Sequence, residues 1–223
     1  GGITRIASIT QLIVPTMAVL YFIATIAVLA VNIQAIPSAI YLMLTDAIGM
    51  SALSGGILGS LITGIQRAAF SNEAGLGSSA IAHAAAKSAY SARAGCVALL
   101  EPFIDTVVIC FLTGLMITVT GVYTLDTVSG VVMTSTAFKT VISWFPVVLA
   151  VIIALFAYST ILTWSYYAER CWRYLFGPRY IIIFHGLFCL GIFIGGISDL
   201  NTVIQLSDLL LLSMAVPNLI GLY

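Results

Sequence analysis

Charge is what this chain of 223 residues lacks most: only 7% of it is Asp, Glu, Lys or Arg, against about 25% in an average soluble domain. That scarcity excludes a soluble globular protein. Eight basic and eight acidic residues cancel, and no basic run exists that could follow a nucleic-acid backbone. Cysteine is sparse too. Cys96, Cys110, Cys171 and Cys189 show no CxxC and no Cys/His metal spacing, so they read as reduced, small apolar packers. The two histidines, His83 and His185, lie on separate segments, with no Ser/His or Asp/Asp arrangement around them that would make an intramembrane hydrolase. An enzyme is therefore not expected, and neither is a cofactor. The chain opens at GGITRIASITQ without an initiator Met or a targeting run, and it closes at Tyr223 in or just after an apolar segment. This predicts an internal fragment of a longer protein.

What is present is apolar. Hydrophobic residues make up 61% of the chain and the mean hydropathy is +1.15, which predicts an all-α polytopic membrane protein in contact with lipid. A bilayer core takes ~20 helical residues. On that measure six spans are expected, at residues 11–33, 48–65, 94–120, 141–168, 180–197 and 202–222, forming one transmembrane domain. Pro15 falls in the first turns of the first span, where a missing N–H costs least. Residues 38–47 are too few to cross alone. Residues 66–93 and 121–140 are the long connections, and the second has room for a small external lid.

The informative positions are the polar ones inside these spans. The 48–65 segment holds Gly49, Ser51, Ser54, Gly55, Gly56, Gly59, Ser60 and Gly64. Such spacing suits close helix packing, or alternatively an unwound helix whose bare backbone groups face a substrate or ion. Glu101 and Asp105 share a helix face one turn apart. Intramembrane charge points to an ion path or relay, whereas a residue near the surface meets headgroups or Lys87 or Arg93 instead. Ser159, Thr160, Thr163 and Trp164 cluster in the fourth span; Ser159 sits about 18 residues in, close to mid-depth at ~1.5 Å per residue. A lone Ser or Thr there normally bonds the carbonyl one turn back, but four polar or amphipathic residues together are also suited to lining a path. His185 reads as a hydrogen-bonded packing residue or a proton relay. Asp208 faces a water-filled path or a structural partner, and Pro217 should kink the last span.

Arg5, Arg67, Lys87, Arg93, Arg170, Arg173 and Arg179 fall on one side of the six spans and Lys139 on the other. Seven against one predicts that the 66–93 segment and the other basic loops are cytoplasmic, in a plasma-membrane protein.

The polar break at residues 65–88, IQRAAFSNEAGLGSSAIAHAAAKS, organises the chain. Polar, glycine-punctuated backbone between spans must reach water, line a cavity or be buried in protein. FSNEAGLGSS followed by IAHAAAKS resembles the signature of the alanine or glycine:cation symporter family. GGITRIA, the Gly55–Gly56 region, EPFIDTVVIC, FAYSTILTW and MAVPNLI follow in that family's order. Ala69 before Phe70 departs from the glycine common there. The resemblance implies the second half of a leucine-transporter-type inverted-repeat fold, with a missing N-terminal half supplying the rest of the substrate and sodium sites. It implies transport of alanine or glycine with sodium as the co-transported ion, by alternating access. Ser159 and Thr160 match the hydroxyl pair offered to sodium, a hard cation that favours oxygen ligands. Trp164 matches the wall of the amino-acid pocket beside Thr160. Ser54, Gly55 and Gly56 would present backbone groups to substrate, and Asp105 with Thr106 forms a further cation-facing pair. The FSNEAG segment is expected as a cytoplasmic connection controlling the inner path, with Glu73 pairing with Arg67. A proton-coupled carrier or exchanger of the same fold, using Asp105, Glu101 or His185, is the alternative.

Overall fold

The computed structural model describes residues 3–48, 56–125 and 130–223, and every regular element among them is helical. In order these are α1 (Ile3–Val31), a 3-10 turn at Ile33–Ala35, α2 (Ile36–Ile48), α3 (Gly56–Asn72), α4 (Ser78–His83), α5 (Ser91–Ala98), α6 (Leu100–Pro102), a π-helical stretch at Phe103–Cys110, α7 (Phe111–Thr120), α8 (Gly130–Lys139), α9 (Phe145–Phe176), α10 (Ile181–Ile197) and α11 (Leu200–Leu222). Among the described residues, five stretches are long and apolar enough to cross a bilayer: Ile6–Val31, Ser91–Thr120, Phe145–Phe176, Pro178–Ile197 and Leu200–Leu222. The chain is thus a multi-pass membrane protein. The span expected at residues 48–65 lies partly outside the described residues, and α3, with 17 residues, carries on past it to Asn72.

Local chemistry accounts for several boundaries. Pro146 is the second residue of α9, where its fixed φ and missing N–H suit a helix start. Asp199 caps α11, accepting a hydrogen bond from the Thr202 N–H at 3.2 Å. Pro102 separates α6 from the π-helical stretch; a proline ring clashes with the carbonyl four residues back and breaks the regular ladder. The same-face placement of Glu101 and Asp105 assumed unbroken α-helix, and the chain is π-helical from Phe103 onward. Pro15 also differs from expectation: α1 starts at Ile3, which puts the proline in the helix interior. The next residue, Thr16, donates its hydroxyl to the Leu12 carbonyl at 2.7 Å.

The chain divides into two compact units, one of Gly1–Ile6, Gln66–Pro102 and Thr160–Tyr223 and the other of Ala7–Ile65 and Phe103–Ser159. The second unit has a continuous core. Met17, Ala24, Val28 and Leu29 of α1 pack with Ala39 of α2, Leu115 and Met116 of α7, Ala137 and Phe138 of α8, and Phe145, Leu149 and Ile152 of α9. Residues 17, 24 and 28 of α1 recur at helical spacing, so one stripe of the helix is buried. Phe138 is fully enclosed between the Tyr21 ring, met edge-on at 5.5 Å, and the Phe145 ring at 4.4 Å. Residues 121–140, expected as a Thr/Ser-rich connection, therefore contain a helix that belongs to this core. Tyr21 and Thr113 share a hydrogen bond of 2.6 Å between α1 and α7.

In the first unit, α9 and α10 form a hairpin through aromatic stacking. Trp172 lies 4.5 Å from Phe176 and 5.7 Å from Phe184, and its indole N–H donates to the Tyr180 carbonyl at 3.2 Å. Glu169 accepts from Arg173 at 2.8 Å and lies 3.4 Å from His185 Nε2, so His185 has a carboxylate partner on the neighbouring helix. Helix α11 has no buried residue. Its apolar side chains are open to lipid or to other protein.

Candidate functional site

The polar segment after Asn72 is where the first unit stops being helical. Three residues between α3 and α4 adopt positive φ: Glu73 at 55°, Gly75 at 79° and Gly77 at 88°. Alternating left-handed residues cannot propagate a helix, so α3 stops and five non-helical residues precede α4. Glycine takes this conformation freely, while a residue with a Cβ pays roughly 1–2 kcal/mol for it. Asn72 supports the turn by accepting the Ala74 N–H on its side-chain oxygen at 2.9 Å, the Asx arrangement that favours such breaks. Leu76 within the turn and Ser78 just after it are both buried.

Glu73 is held from two sides. Its Oε1 accepts the indole N–H of Trp164 at 3.0 Å, and its Oε2 accepts the hydroxyl of Ser78 at 2.5 Å. The strained residue is thus tied to α9 on one side and to the start of α4 on the other. Trp164 in turn meets Tyr167 edge-on at 5.8 Å. A carboxylate has about four lone-pair directions, so with two donors in place Glu73 retains acceptor capacity for a cation or an ammonium group. Thr160 lies one turn before Trp164 on α9, on the same face, and both belong to this unit.

The expected Glu73–Arg67 pair does not form. Arg67 makes an ion pair with Asp208 of α11 instead, and lies 5.9 Å from the Phe70 ring. Arg67 lies on the last turns of α3 while Glu73 lies beyond the helix end, turned by its own positive φ toward Trp164; the side chains therefore leave the backbone in different directions. Asp208 accordingly has a structural partner. The sequence treated FSNEAG as a connection, and so passed over Glu73 and Ser78 as site residues. The signal was present in the polar run with glycines at 75 and 77.

The remaining candidates are distributed more widely. Ser54 and Gly55 lie outside the described residues, and Gly56 is the first residue of α3 in the other unit. Ser159, also in that unit, is buried and donates its hydroxyl to the Phe156 carbonyl at 2.8 Å. Asp105 and Thr106 are half-buried on the π-helical stretch, an irregularity often found at functional positions.

Comparison with known proteins gives a single family. The model of the sodium:alanine symporter family matches residues 1–223. The sodium/alanine symporter AgcS of Methanococcus maripaludis is 40% identical over 226 residues, covering all of this chain and 50% of that protein. The amino-acid carrier protein AlsT of Bacillus subtilis is 33% identical, over 99% of this chain and 48% of its own length. A sodium/proton-dependent alanine carrier protein of Bacillus sp. strain PS3 is 33% identical over 78% of this chain and 43% of its own length. The chain spans about half the length of these relatives.

Proposed function

The chain belongs to the sodium:alanine symporter family, a family of transporters and not of enzymes, and on that footing we propose that it serves a carrier moving a small neutral amino acid, alanine or glycine, together with sodium. The observation that carries this reading is the Glu73–Trp164 hydrogen bond across the break between α3 and α4. A zwitterion entering an apolar span must exchange water for protein partners. An acidic residue on an opened backbone gives its ammonium group an acceptor. An indole fixed against that residue would wall the site and set an upper limit on side-chain size. Glycine and alanine fit such a limit.

Sodium requires hard oxygen ligands. Thr160 and Ser159 are proposed as hydroxyl ligands, and Asp105 with Thr106 as a separate cation-facing pair. Ser54, Gly55 and Gly56 stand as proposed backbone contributors on the sequence alone. The cycle proposed is alternating access by rocking of helices, in the plasma membrane with the basic loops in the cytoplasm. Sodium entry supplies about 2.3 kcal/mol per charge for each 100 mV, besides its concentration gradient.

Proton coupling is the second reading. One relative is named a sodium/proton-dependent alanine carrier, and Asp105, Glu101 and His185 are ionisable groups in or beside spans. Labelled-alanine uptake by the full-length polypeptide in proteoliposomes separates the two. Uptake that needs an inward sodium gradient supports symport with sodium. Uptake driven by a proton gradient alone moves the assignment to the ionisable groups, and no uptake by folded protein removes the amino-acid substrate.

A further inference from the structure

Two of the polar side chains of helix α11 reach the polar segment that follows α3's last turns. Asp208 pairs with Arg67 at the end of α3. Asn218, ten residues on and therefore ~15 Å along the helix, donates its Nδ2–H to the Gly75 carbonyl at 2.9 Å. The same carboxamide closes over Gly77: a Cβ there would lie 2.9 Å from Asn218 Oδ1 and 3.1 Å from its Cγ. One side chain of α11 thus touches two of the three left-handed residues of the turn.

We propose that Asn218 is a positioning residue for the Glu73–Trp164 site, holding the 73–77 turn in the register that presents the Glu73 carboxylate to the Trp164 indole. This rests on the reading of that site as the transport site. The Gly75 carbonyl lies in non-helical backbone, so its donor must come from outside the local ladder. Asn218 is that donor. A polar amide within a span is in turn satisfied by the carbonyl it holds, so each group removes the other's desolvation cost. Gly77 is required twice over, by its positive φ and by the lack of space beneath Asn218. The Arg67–Asp208 pair ties the entry to the turn from the same helix, which leaves Asn218 to set the turn itself.

The test uses the full-length carrier with Trp164 as the remaining tryptophan, every other tryptophan, Trp144 and Trp172 among them, being replaced by Phe. In Asn218→Ala the alanine KM rises roughly tenfold, the scale of losing one hydrogen bond to a constrained acceptor, while maximal uptake changes much less. The Trp164 emission shifts as its contact with Glu73 loosens. Asn218→Gln, which keeps the donor, recovers part of the affinity. Gly77→Ala weakens alanine affinity at least tenfold in the native background and by several-fold less in the Asn218→Ala background, where the cost of the positive φ remains but the obstructing carboxamide is gone. Asn218→Ser, too short to reach Gly75, is read in the same way if Asn218→Ala fails to fold. An unchanged KM with unshifted emission overturns the proposal, as does a Gly77→Ala effect of equal size in both backgrounds. If the parent protein moves no amino acid, the transport reading falls separately, and the emission of Asn218→Ala decides the positioning role: unshifted emission rejects it.

Discussion

Glu73 keeps a left-handed backbone at φ 55° although a glycine would adopt it at no steric cost, and its carboxylate is what the position gains in return. Both oxygens hold neighbours, Trp164 and Ser78. Glu73→Gln retains an oxygen to accept one of these bonds but removes the charge. The expected outcome is folded protein whose alanine uptake falls at least tenfold, since a hydrogen bond to a charged group contributes about 1.5–3 kcal/mol. Trp164→Phe keeps the ring and removes the donor, so the alanine KM should rise, with larger neutral amino acids beginning to compete for uptake. Thr160→Ala should weaken the apparent sodium affinity more than it lowers expression; uptake with unchanged sodium dependence would take Thr160 out of the cation site.

At the scale of elements, two kinds of contact hold helices together, and they differ in strength. Without a hydrophobic drive between helices in lipid, packing dominates, and an interhelical hydrogen bond averages only about 0.6 kcal/mol. Tyr21→Phe, which breaks the α1–α7 bond to Thr113, should therefore cost under ~1 kcal/mol. Phe138→Ala, which empties a fully buried position near the end of α8, should cost several-fold more, on the order of 3 kcal/mol. Denaturant titration of both variants in detergent compares them directly, and equal losses would show that α8 is not part of the core. The Arg67–Asp208 pair between α3 and α11 is a third case. Asp208→Asn leaves a cation at the end of α3 without its partner and should lower the folded yield; exchanging the charges in Arg67→Asp/Asp208→Arg should recover much of it.

At the scale of the whole molecule, a symporter whose sites are coupled must respond to its two ligands together. Ligands that bind only the folded state stabilise it by mass action, about 2.7 kcal/mol at one hundred times Kd. Melting of the full-length carrier should rise more with sodium and alanine together than the sum of the separate shifts. Additive shifts would mean that the two ligands bind without coupling, whatever the uptake shows. The surface is consistent with a multi-pass protein: α10 and α11 expose most of their large apolar residues, as helices facing lipid or other protein do.

The sequence by itself determined that the protein is helical and crosses a membrane, because hydrocarbon admits only apolar runs with self-satisfied backbone, and that constraint is local. It also located the break at FSNEAGLGSS, since glycine and Asn have backbone preferences that need no tertiary context. Hydropathy did not reveal α8 as part of a core, because Gly130–Lys139 is short and rich in Thr and Ser, and only the fit of Phe138 between Tyr21 and Phe145 buries it. Pairings were equally hidden. Glu73 and Arg67 are near in sequence and of opposite charge, yet Glu73 meets Trp164, 91 residues away, and Arg67 meets Asp208, 141 residues away. A side chain's direction follows from its φ and from the helix packed opposite it, and that information exists only once the chain has folded.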